Sequence, residues 1–267
     1  MCDINHIYIV SAVVNNPEFI EIQYNSLKKY MKIPYTFVIF NDAKDWADFS
    51  NFNDVTIKNK IKEKCLELSI LCVDIPNKHH RKEKGPANRC ADAMNFIKDY
   101  MIKNKGRYLL LDSDMFLIND FTDQYKNYEA ALVYQKRWKT MIYPWNGIFY
   151  FNMPYLKNQD LLDWGCPWNG DVGMNNNKWL TTSYGIDSEK IYKIQHLSSC
   201  RWDKNQFPPN LSDTLLHFLE NDPRNKKGKF FCEIYDNLFF HYRAGGNWRN
   251  EGKEIHHNLT ILLNKIL

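Results

Sequence analysis

The first 118 residues alternate short apolar runs with segments of helical periodicity, and this alternation constrains the fold more than any other feature. The apolar runs are short and rich in β-branched and aromatic residues, so they are predicted to be buried strands. The predicted strands are 6–14, 35–42, 71–76 and the run that begins "RYLLL" at 107. The predicted helices are 17–31, 57–70 and 85–106. Strands that alternate with helices predict an α/β fold with a mostly parallel central sheet flanked by helices.

The second half of the chain, residues 119–267, has a different character. It is richer in Trp, Asn, Gly and Pro, and only 147–152 and 237–242 are predicted to be clear strands. No internal repeat or flexible linker separates the halves. We therefore expect a single domain over 1–267, with a nucleotide-binding half at 1–118 and a loop-rich half at 119–267 that holds the other substrate.

Charge and cysteine usage exclude several classes of protein. With 35 basic and 31 acidic residues the net charge is +4, and no long basic face is visible, so no nucleic-acid partner is expected. The seven cysteines are scattered without a Cys-x-x-Cys pair, which argues against a disulfide framework and against a structural zinc site. The N-terminal stretch has no basic region typical of a signal peptide, and no apolar run is long enough for a transmembrane segment. The expected location is cytoplasmic.

Two aspartates interrupt the apolar stretch "RYLLLDSDMFLI" at 107–118. Asp112 and Asp114 lie one residue apart at the predicted end of a central strand. Two like charges about 6–7 Å apart repel each other unless a cation or hydrogen-bond donors balance them. A divalent cation such as Mn²⁺ or Mg²⁺, which prefers carboxylate oxygens, is the simplest balance.

Two aspartates in this pattern have three other interpretations. They can cap the following turn, as Asp and Ser often do. A calcium loop is excluded, because the stretch lacks the third polar ligand and the glycine that such a loop needs. A phosphohydrolase with a nucleophilic first Asp usually has this motif near the start of the chain and followed by Gly or Thr, whereas Met115 and Phe116 follow here.

Other polar residues also follow predicted strands. Asn15 and Asp42 stand where the first and second strands end. In open α/β sheets, ligands bind in a crevice at the carboxyl ends of the strands. We therefore expect Asn15, Asp42 and the Asp112–Asp114 pair to converge on one crevice.

The stretch from Gly85 to Ile118, "GPANRCADAMNFIKDYMIKNKGRYLLLDSDMFLI", resembles the helix–strand–DxD core of the GT-A-fold glycosyltransferases. The resemblance implies a Rossmann-like GT-A fold, a nucleotide-sugar donor, and a divalent cation, usually Mn²⁺ with Mg²⁺ as the alternative, between the DxD carboxylates and the donor diphosphate.

Three further stretches are similar to features of that family. "WNGIFYFN" (145–152) resembles the strand that forms the floor of the donor sugar site, and "WNGDVGMNNNKWL" (168–180) resembles the acidic loop near the acceptor, with Asp171 as its carboxylate. "FFHYRAGGNW" (239–248) resembles the late His-x-x-Gly-x-x-Lys-Pro-Trp element of glycogenin-like retaining transferases. That last resemblance implies His241 as the third metal ligand, against the alternative of a core histidine at a strand end.

The late element departs from the family pattern. It is one residue shorter, and Ala244 and Asn247 stand where Gly and Lys-Pro are expected. The lysine that would contact the diphosphate is therefore missing, and Arg243, Arg249 or Lys253 are the candidates to replace it.

The resemblance also implies a set of substrate-binding residues. The implied donor-binding residues are Asn15, Asp42, Arg89, Asp92, Ser113, Asn146, Gly147, Gly245 and Gly246. Arg89 is expected near the phosphates, while Asn15, Asp42 and Asp92 are candidates for the base and ribose. Trp168 and Trp179 are expected to contact the acceptor.

The sequence hypothesis is a metal-dependent glycosyltransferase that moves a sugar from a nucleotide-diphosphate donor, with UDP-sugar favoured, to an acceptor hydroxyl on a glycan or glycoconjugate. Asp171 is the candidate catalytic residue. A reaction that inverts the configuration at the sugar carbon would need it as a general base, whereas the late His motif slightly favours a reaction that retains the configuration. The alternatives are a nucleotidyltransferase acting on sugar phosphates and a catalytically silent glycan-binding protein.

Overall fold

Strands and helices alternate through the first half of the chain, as predicted. The computed structural model describes residues 6–76, 85–138, 140–167, 170–245, 257, 260–261 and 263–264. The strands are β1 (Ile7–Val13), β2 (Tyr35–Asn41), β3 (Leu71–Asp74), β4 (Arg107–Leu111), β5 (Met115–Leu117), β6 (Ala130–Arg137), β7 (Met141–Asn152), β8 (Ile191–Lys193), β9 (His196–Leu197), β10 (Glu233–Tyr235) and β11 (Phe239–His241). The helices are α1 (Glu18–Tyr30), α2 (Ile57–Glu67), α3 (Pro86–Lys103), α4 (Asn176–Ser183) and α5 (Asp213–Asn221).

A seven-stranded sheet forms the centre of the molecule, in the order β3-β2-β1-β4-β7-β6-β8. Strands β1 to β4 are parallel, and β7 runs against both of its neighbours, β4 and β6. The chain adds β2 and β3 on one side of β1 and β4 on the other, so the strand order reverses between β1 and β4. Such a switch point leaves a crevice at the carboxyl ends of the two strands.

Helices cover both faces of this sheet, because successive strand residues point to opposite sides. On one face, Ile9 and Leu109 pack with residues of α1 and α2, including Ile20 and Ile61. The adjacent residues of the same strands pack on the other face, against α3 and α4. The predicted α/β fold with a mostly parallel, helix-flanked sheet is confirmed.

A second, antiparallel sheet has the order β5-β11-β10-β9. Only residues 112–114 separate its first strand from β4 of the large sheet. The sheet packs on α5 and on the outer face of α1, where Phe19 and Ile22 join Phe218 and Phe240 in a separate core cluster. The two aspartates therefore lie where the chain passes from one sheet to the other.

Two helices of the first half begin at prolines, as predicted. Pro17 is the N-cap of α1, and Pro86 is the first residue of α3 after Gly85. Proline is tolerated there because the first turn of a helix needs no backbone N–H donor. Acidic residues in the first turn of α1 and lysines in its last turn also match the helix dipole.

The second half is more regular than predicted. Strand β7 begins at Met141, six residues before the predicted strand, and β6 pairs with it through a register shift at Leu132 and Tyr134. Helices α4 and α5 were also not predicted. Strand β3 is an edge strand, with Leu71 and Asp74 exposed, rather than a buried one. Among the described residues, no helix is both long and apolar enough to cross a membrane.

Candidate metal and substrate site

The Asp112–Ser113–Asp114 turn follows β4 and is fixed through its backbone. The Asp112 N–H donates to the Gly147 carbonyl of β7 at 2.7 Å, and its carbonyl accepts from Gln23 Nε2 of α1 at 2.8 Å. Gln23 also donates to the Met115 carbonyl at 2.9 Å. Because these contacts satisfy the backbone groups of the turn, they hold both carboxylates at the end of the sheet.

Asp114 contacts the late His motif directly. One of its carboxylate oxygens lies 3.2 Å from His241 Nε2, and the other accepts the Gly245 N–H at 2.7 Å. The register explains the meeting, since His241 of β11 pairs with Met115 of β5, the residue after Asp114. A Cβ on Gly245 would lie 2.9 Å from the Asp114 Cβ, so glycine permits this close approach.

The second ring nitrogen of His241 is held by Glu233, which the sequence did not predict as a site residue. His241 Nδ1 lies 2.9 Å from Glu233 Oε2, which also accepts from the Tyr235 hydroxyl at 2.7 Å. Glu233 Oε1 accepts the Ser199 N–H at 3.0 Å. The hairpin register places Glu233 opposite His241, but this pairing is visible only once β10 and β11 are aligned.

These contacts create a charged cluster. Burial and the charge of Asp114 raise the pKa of Asp112 to about 6. Burial lowers the pKa of His241, but Asp114 and Glu233 outweigh it and raise that pKa to about 10. Burial likewise raises the pKa of Glu233, while its contacts with His241 prevail and lower it to about 2.

The donor set of this cluster suits a divalent cation. Asp112, Asp114 and His241 each offer one ligand atom, and these atoms lie within 4.8 Å of one another. Two carboxylate oxygens and one imidazole nitrogen are ligands that Mn²⁺ accepts. The Glu233 contact on the far side of the imidazole is the arrangement that orients histidine ligands in metal sites.

The cluster opens into a cavity of about 840 Å³ at the switch point between β1 and β4. The predicted site residues that line this cavity are Asn15, Asp42, Arg89, Asp112, Ser113, Asp114, Asn146 and His241. Their positions confirm that the polar residues after the first, second and fourth strands converge on one crevice.

Cationic side chains line the same cavity. Arg89 Nη1 lies 2.9 Å from Asp48, and Lys44 lies 3.8 Å from the same carboxylate. Burial and the charge of Arg89 lower the pKa of Lys44. Arg243 lies over the Phe231 ring, with 4.8 Å to its centroid, and forms no ion pair with a carboxylate in the described part of the chain. Lys44 was not predicted, and local sequence gave no signal for it.

The other predicted donor residues lie outside the lining. The Gly147 carbonyl accepts the Asp112 N–H, and the Gly245 N–H donates to the Asp114 carboxylate. Asp92 is on α3 and is not part of the lining. Gly246, Arg249, Lys253 and Trp168 lie outside the described residues.

Asp171 lies on the segment between β7 and α4. Its carboxylate accepts from the Tyr143 hydroxyl at 3.4 Å and from the Val172 N–H at 2.9 Å. Burial, Asp112, Asp42 and then Asp171 raise the pKa of the Cys90 thiol, which lines the cavity. The side chain of Asp171 is not part of the cavity lining.

Trp179 belongs to the core. Its side chain is fully buried against Phe151, and its indole N–H donates to the Lys157 carbonyl at 3.0 Å. It offers no surface to an acceptor, so its predicted acceptor contact is corrected here. Trp145 lies beside the Asp112–Asp114–His241 cluster. Its ring stacks on Tyr235, with 5.3 Å between the ring centroids, and its centroid is 5.5 Å from that of the His241 ring.

Comparison with known proteins gives structural likeness only. No protein-family model matches the chain, and no curated protein matches it. The solved structures that resemble it include glycosyltransferases at 10% sequence identity.

Three of these structures cover much of the chain. Galactosyltransferase LgtC, in complex with donor and acceptor sugar analogues, covers 97% of this chain and 95% of its own, with a TM-score of 0.46. The match to mouse xyloside xylosyltransferase 1 covers 74% of this chain and 87% of that protein, with a TM-score of 0.40. The match to the bifunctional glycosyltransferase WbbM covers 81% of this chain and 44% of that protein, with a TM-score of 0.42. At these scores the function has to be inferred from the site itself.

Proposed function

We propose that the protein is a metal-dependent glycosyltransferase that transfers a sugar from a nucleotide-diphosphate donor, with UDP-sugar favoured, to an acceptor hydroxyl on a glycan or glycoconjugate. The observation that carries the proposal is the Asp112–Asp114–His241 cluster at the sheet switch point, inside a cavity lined by cations. A site with clustered carboxylates and nearby cations suits a ligand that brings both a divalent cation and phosphates.

The candidate metal residues are Asp112, Asp114 and His241, and Mn²⁺ is the favoured ion. When bound, the cation would act as a Lewis acid that neutralises the diphosphate of the leaving nucleotide. Glu233 would hold the imidazole so that its Nε2 faces the ion. Arg243 is the candidate for the phosphate contact of the missing lysine, because it lines the cavity.

The remaining donor contacts are proposed from the cavity lining and from the resemblance of the sequence. Asn15 and Asp42 would bind the base and ribose at the ends of β1 and β2, and Asp92 stays a weaker candidate on α3. Arg89, Ser113 and Asn146 would face the phosphates and the donor sugar. Gly147 and Gly245 would serve the donor site indirectly, through the backbone contacts that hold Asp112 and Asp114, and Gly246 stays a prediction from the sequence.

Asp171 is the candidate residue for the reacting sugar or the acceptor. In an inverting reaction it would accept the proton of the attacking hydroxyl as a general base. In a retaining reaction, which the late His motif favours slightly, it would position the acceptor and the donor sugar by hydrogen bonds. Replacing Asp171 by Asn should abolish transfer while nucleotide binding persists; transfer at the wild-type rate would remove Asp171 from the mechanism.

A thermal-shift experiment tests the donor site. The unfolding midpoint is measured with UDP, GDP and CMP, each with and without Mn²⁺, because a ligand that binds only the folded state raises the midpoint. We expect a Mn²⁺-dependent rise with one nucleotide, and its loss in Asp114→Ala. A matched control is Asp213→Ala, since Asp213 is an exposed residue at the start of α5. No rise with any nucleotide would contradict the proposal.

A further inference from the structure

A second cavity of about 570 Å³ lies next to the start of β7. Trp138, in the turn before β7, lines it and is 57% exposed. Apolar side chains form further lining, among them Met141, Leu161 and Met174. An exposed aromatic ring beside apolar walls suits the face of a sugar ring, which presents C–H groups.

Amide groups supply the polar part of this cavity. Asn175 Nδ2 donates to Asp163 at 2.7 Å, and Asn177 Nδ2 donates to the Ile142 carbonyl at 2.7 Å. Each asparagine is thereby held by its donor group, while its carbonyl oxygen has no partner among the described residues. Fixed amide oxygens are acceptors for sugar hydroxyls.

Asp171 contacts the lining of the second cavity through its backbone. Its backbone N–H donates to the sulfur of Met174, a lining residue of the second cavity, at 3.0 Å. Its carboxylate accepts from the Tyr143 hydroxyl at 3.4 Å and is not part of the lining of the donor cavity. The proposed catalytic residue therefore adjoins the second cavity.

We propose that the second cavity binds the acceptor, and that the acceptor is a neutral oligosaccharide with one sugar ring stacked on Trp138 and its reacting hydroxyl at Asp171. The proposal rests on the proposed function and names its acceptor class. Among the described residues that line the cavity, the carboxylates of Asp160 and Asp163 outnumber the one cation, Lys178, so uronic and sialic acids are disfavoured.

The test is glycan binding in the absence of nucleotide and metal. The probe is a printed array of neutral, sialylated and uronic-acid oligosaccharides of two to six residues, and the best ligand is then titrated in solution. We expect neutral glycans to bind, with affinity reduced about tenfold or more in Trp138→Ala and largely restored in Trp138→Phe. Tyr155→Ala is the matched control, because Tyr155 is 69% exposed and lines neither cavity.

Several results would overturn the inference. The inference would be wrong if the wild type bound no glycan, if Trp138→Ala left binding unchanged, or if acidic glycans were preferred. Failure of the proposed function is seen separately, in the Mn²⁺-dependent nucleotide shift of the wild type. If that shift is absent while Trp138-dependent binding of neutral glycans persists, the cavity is a glycan site but the protein is not the proposed transferase.

Discussion

The chemistry of the candidate metal centre depends on the proton at His241 Nε2. In the metal-free protein both ring nitrogens face carboxylates, Asp114 at Nε2 and Glu233 at Nδ1, so the imidazolium is favoured. A metal ion needs the lone pair of Nε2, and the proton there has to leave when the ion binds. The Nδ1 proton stays with Glu233.

Metal binding should therefore release a proton and strengthen with pH. Because the pKa of His241 is raised to about 10, the imidazole is protonated at pH 7.5, and Mn²⁺ binding should release about one proton there. The association constant should rise about tenfold per pH unit between pH 7 and 9. Below pH 6 the decline should be steeper, since Asp112, with its pKa of about 6, also takes up a proton.

Calorimetry in buffers of different ionisation enthalpy at pH 7.5 measures the released proton. His241→Ala should bind Mn²⁺ more weakly and release fewer protons at that pH. The remaining release should come from Asp112, whose pKa rises when the His241 charge is lost. A wild-type affinity that does not change between pH 7 and 9 would exclude His241 as a ligand that is protonated in the free protein.

Glu233 is predicted to position His241 for the ion. Glu233→Gln keeps the size of the side chain but removes the charge that orients Nδ1–H, so Mn²⁺ affinity should fall about 10- to 100-fold. The free ion is counted by its paramagnetic resonance signal. Glu220→Gln, at an exposed position on α5, is the control and should bind like the wild type. Unchanged affinity in a folded Glu233→Gln protein would reduce Glu233 to a structural residue.

Among the elements, β7 links the Asp112–Ser113–Asp114 turn to the aromatic residues beside it. The Gly147 carbonyl holds the Asp112 N–H, and the Trp145 ring lies across Gly147, stacked on Tyr235 of β10. A Cβ on Gly147 would come within 2.3 Å of the Trp145 ring. The glycine therefore leaves space for the tryptophan that packs the two sheets together.

Gly147→Ala should force Trp145 out of its stack. We expect the free energy of unfolding to fall by about 1–3 kcal/mol, the usual cost of overpacking, and Mn²⁺ binding to weaken because Trp145 lies against His241. Urea unfolding provides the measurement. Gly85→Ala is the control, since a Cβ there has no neighbour within 4 Å, and its stability should stay close to that of the wild type. Equal stability of the two variants would contradict this account.

The elements that the sequence predicted well are those with strong local signals. Strands β1 and β2 and helices α1 and α3 follow from apolar periodicity and from prolines at helix starts. Strand β6 was missed because Ala130–Arg137 ends in four partly exposed or exposed residues, which weakens the strand pattern. Glu233 could not be predicted, because its role depends on the hairpin register. Lys44 could not be predicted either, because its place in the cavity beside Arg89 depends on how distant segments pack.

At the scale of the whole molecule, the candidate metal centre joins the two sheets. Asp112 follows the last residue of β4 in the large sheet, Asp114 precedes β5, and His241 belongs to β11 of the small sheet. In the metal-free protein the ion pair of Asp114 and His241 and the Gly245 N–H hold this junction. A bound ion would add a bridge from Asp112 to the hairpin.

Hydrogen exchange should report that bridge. If the β10–β11 hairpin opens in a unit smaller than the whole fold, an ion that binds only the closed form slows its exchange. At a free Mn²⁺ concentration of 100 times its dissociation constant, the amides of 233–241 should exchange about 100-fold more slowly, equivalent to about 2.7 kcal/mol. Strand β3, at the far edge of the large sheet, is an internal control and should change little. Asp114→Ala should abolish the protection, whereas equal slowing throughout the chain would mean that the hairpin opens only when the whole protein unfolds.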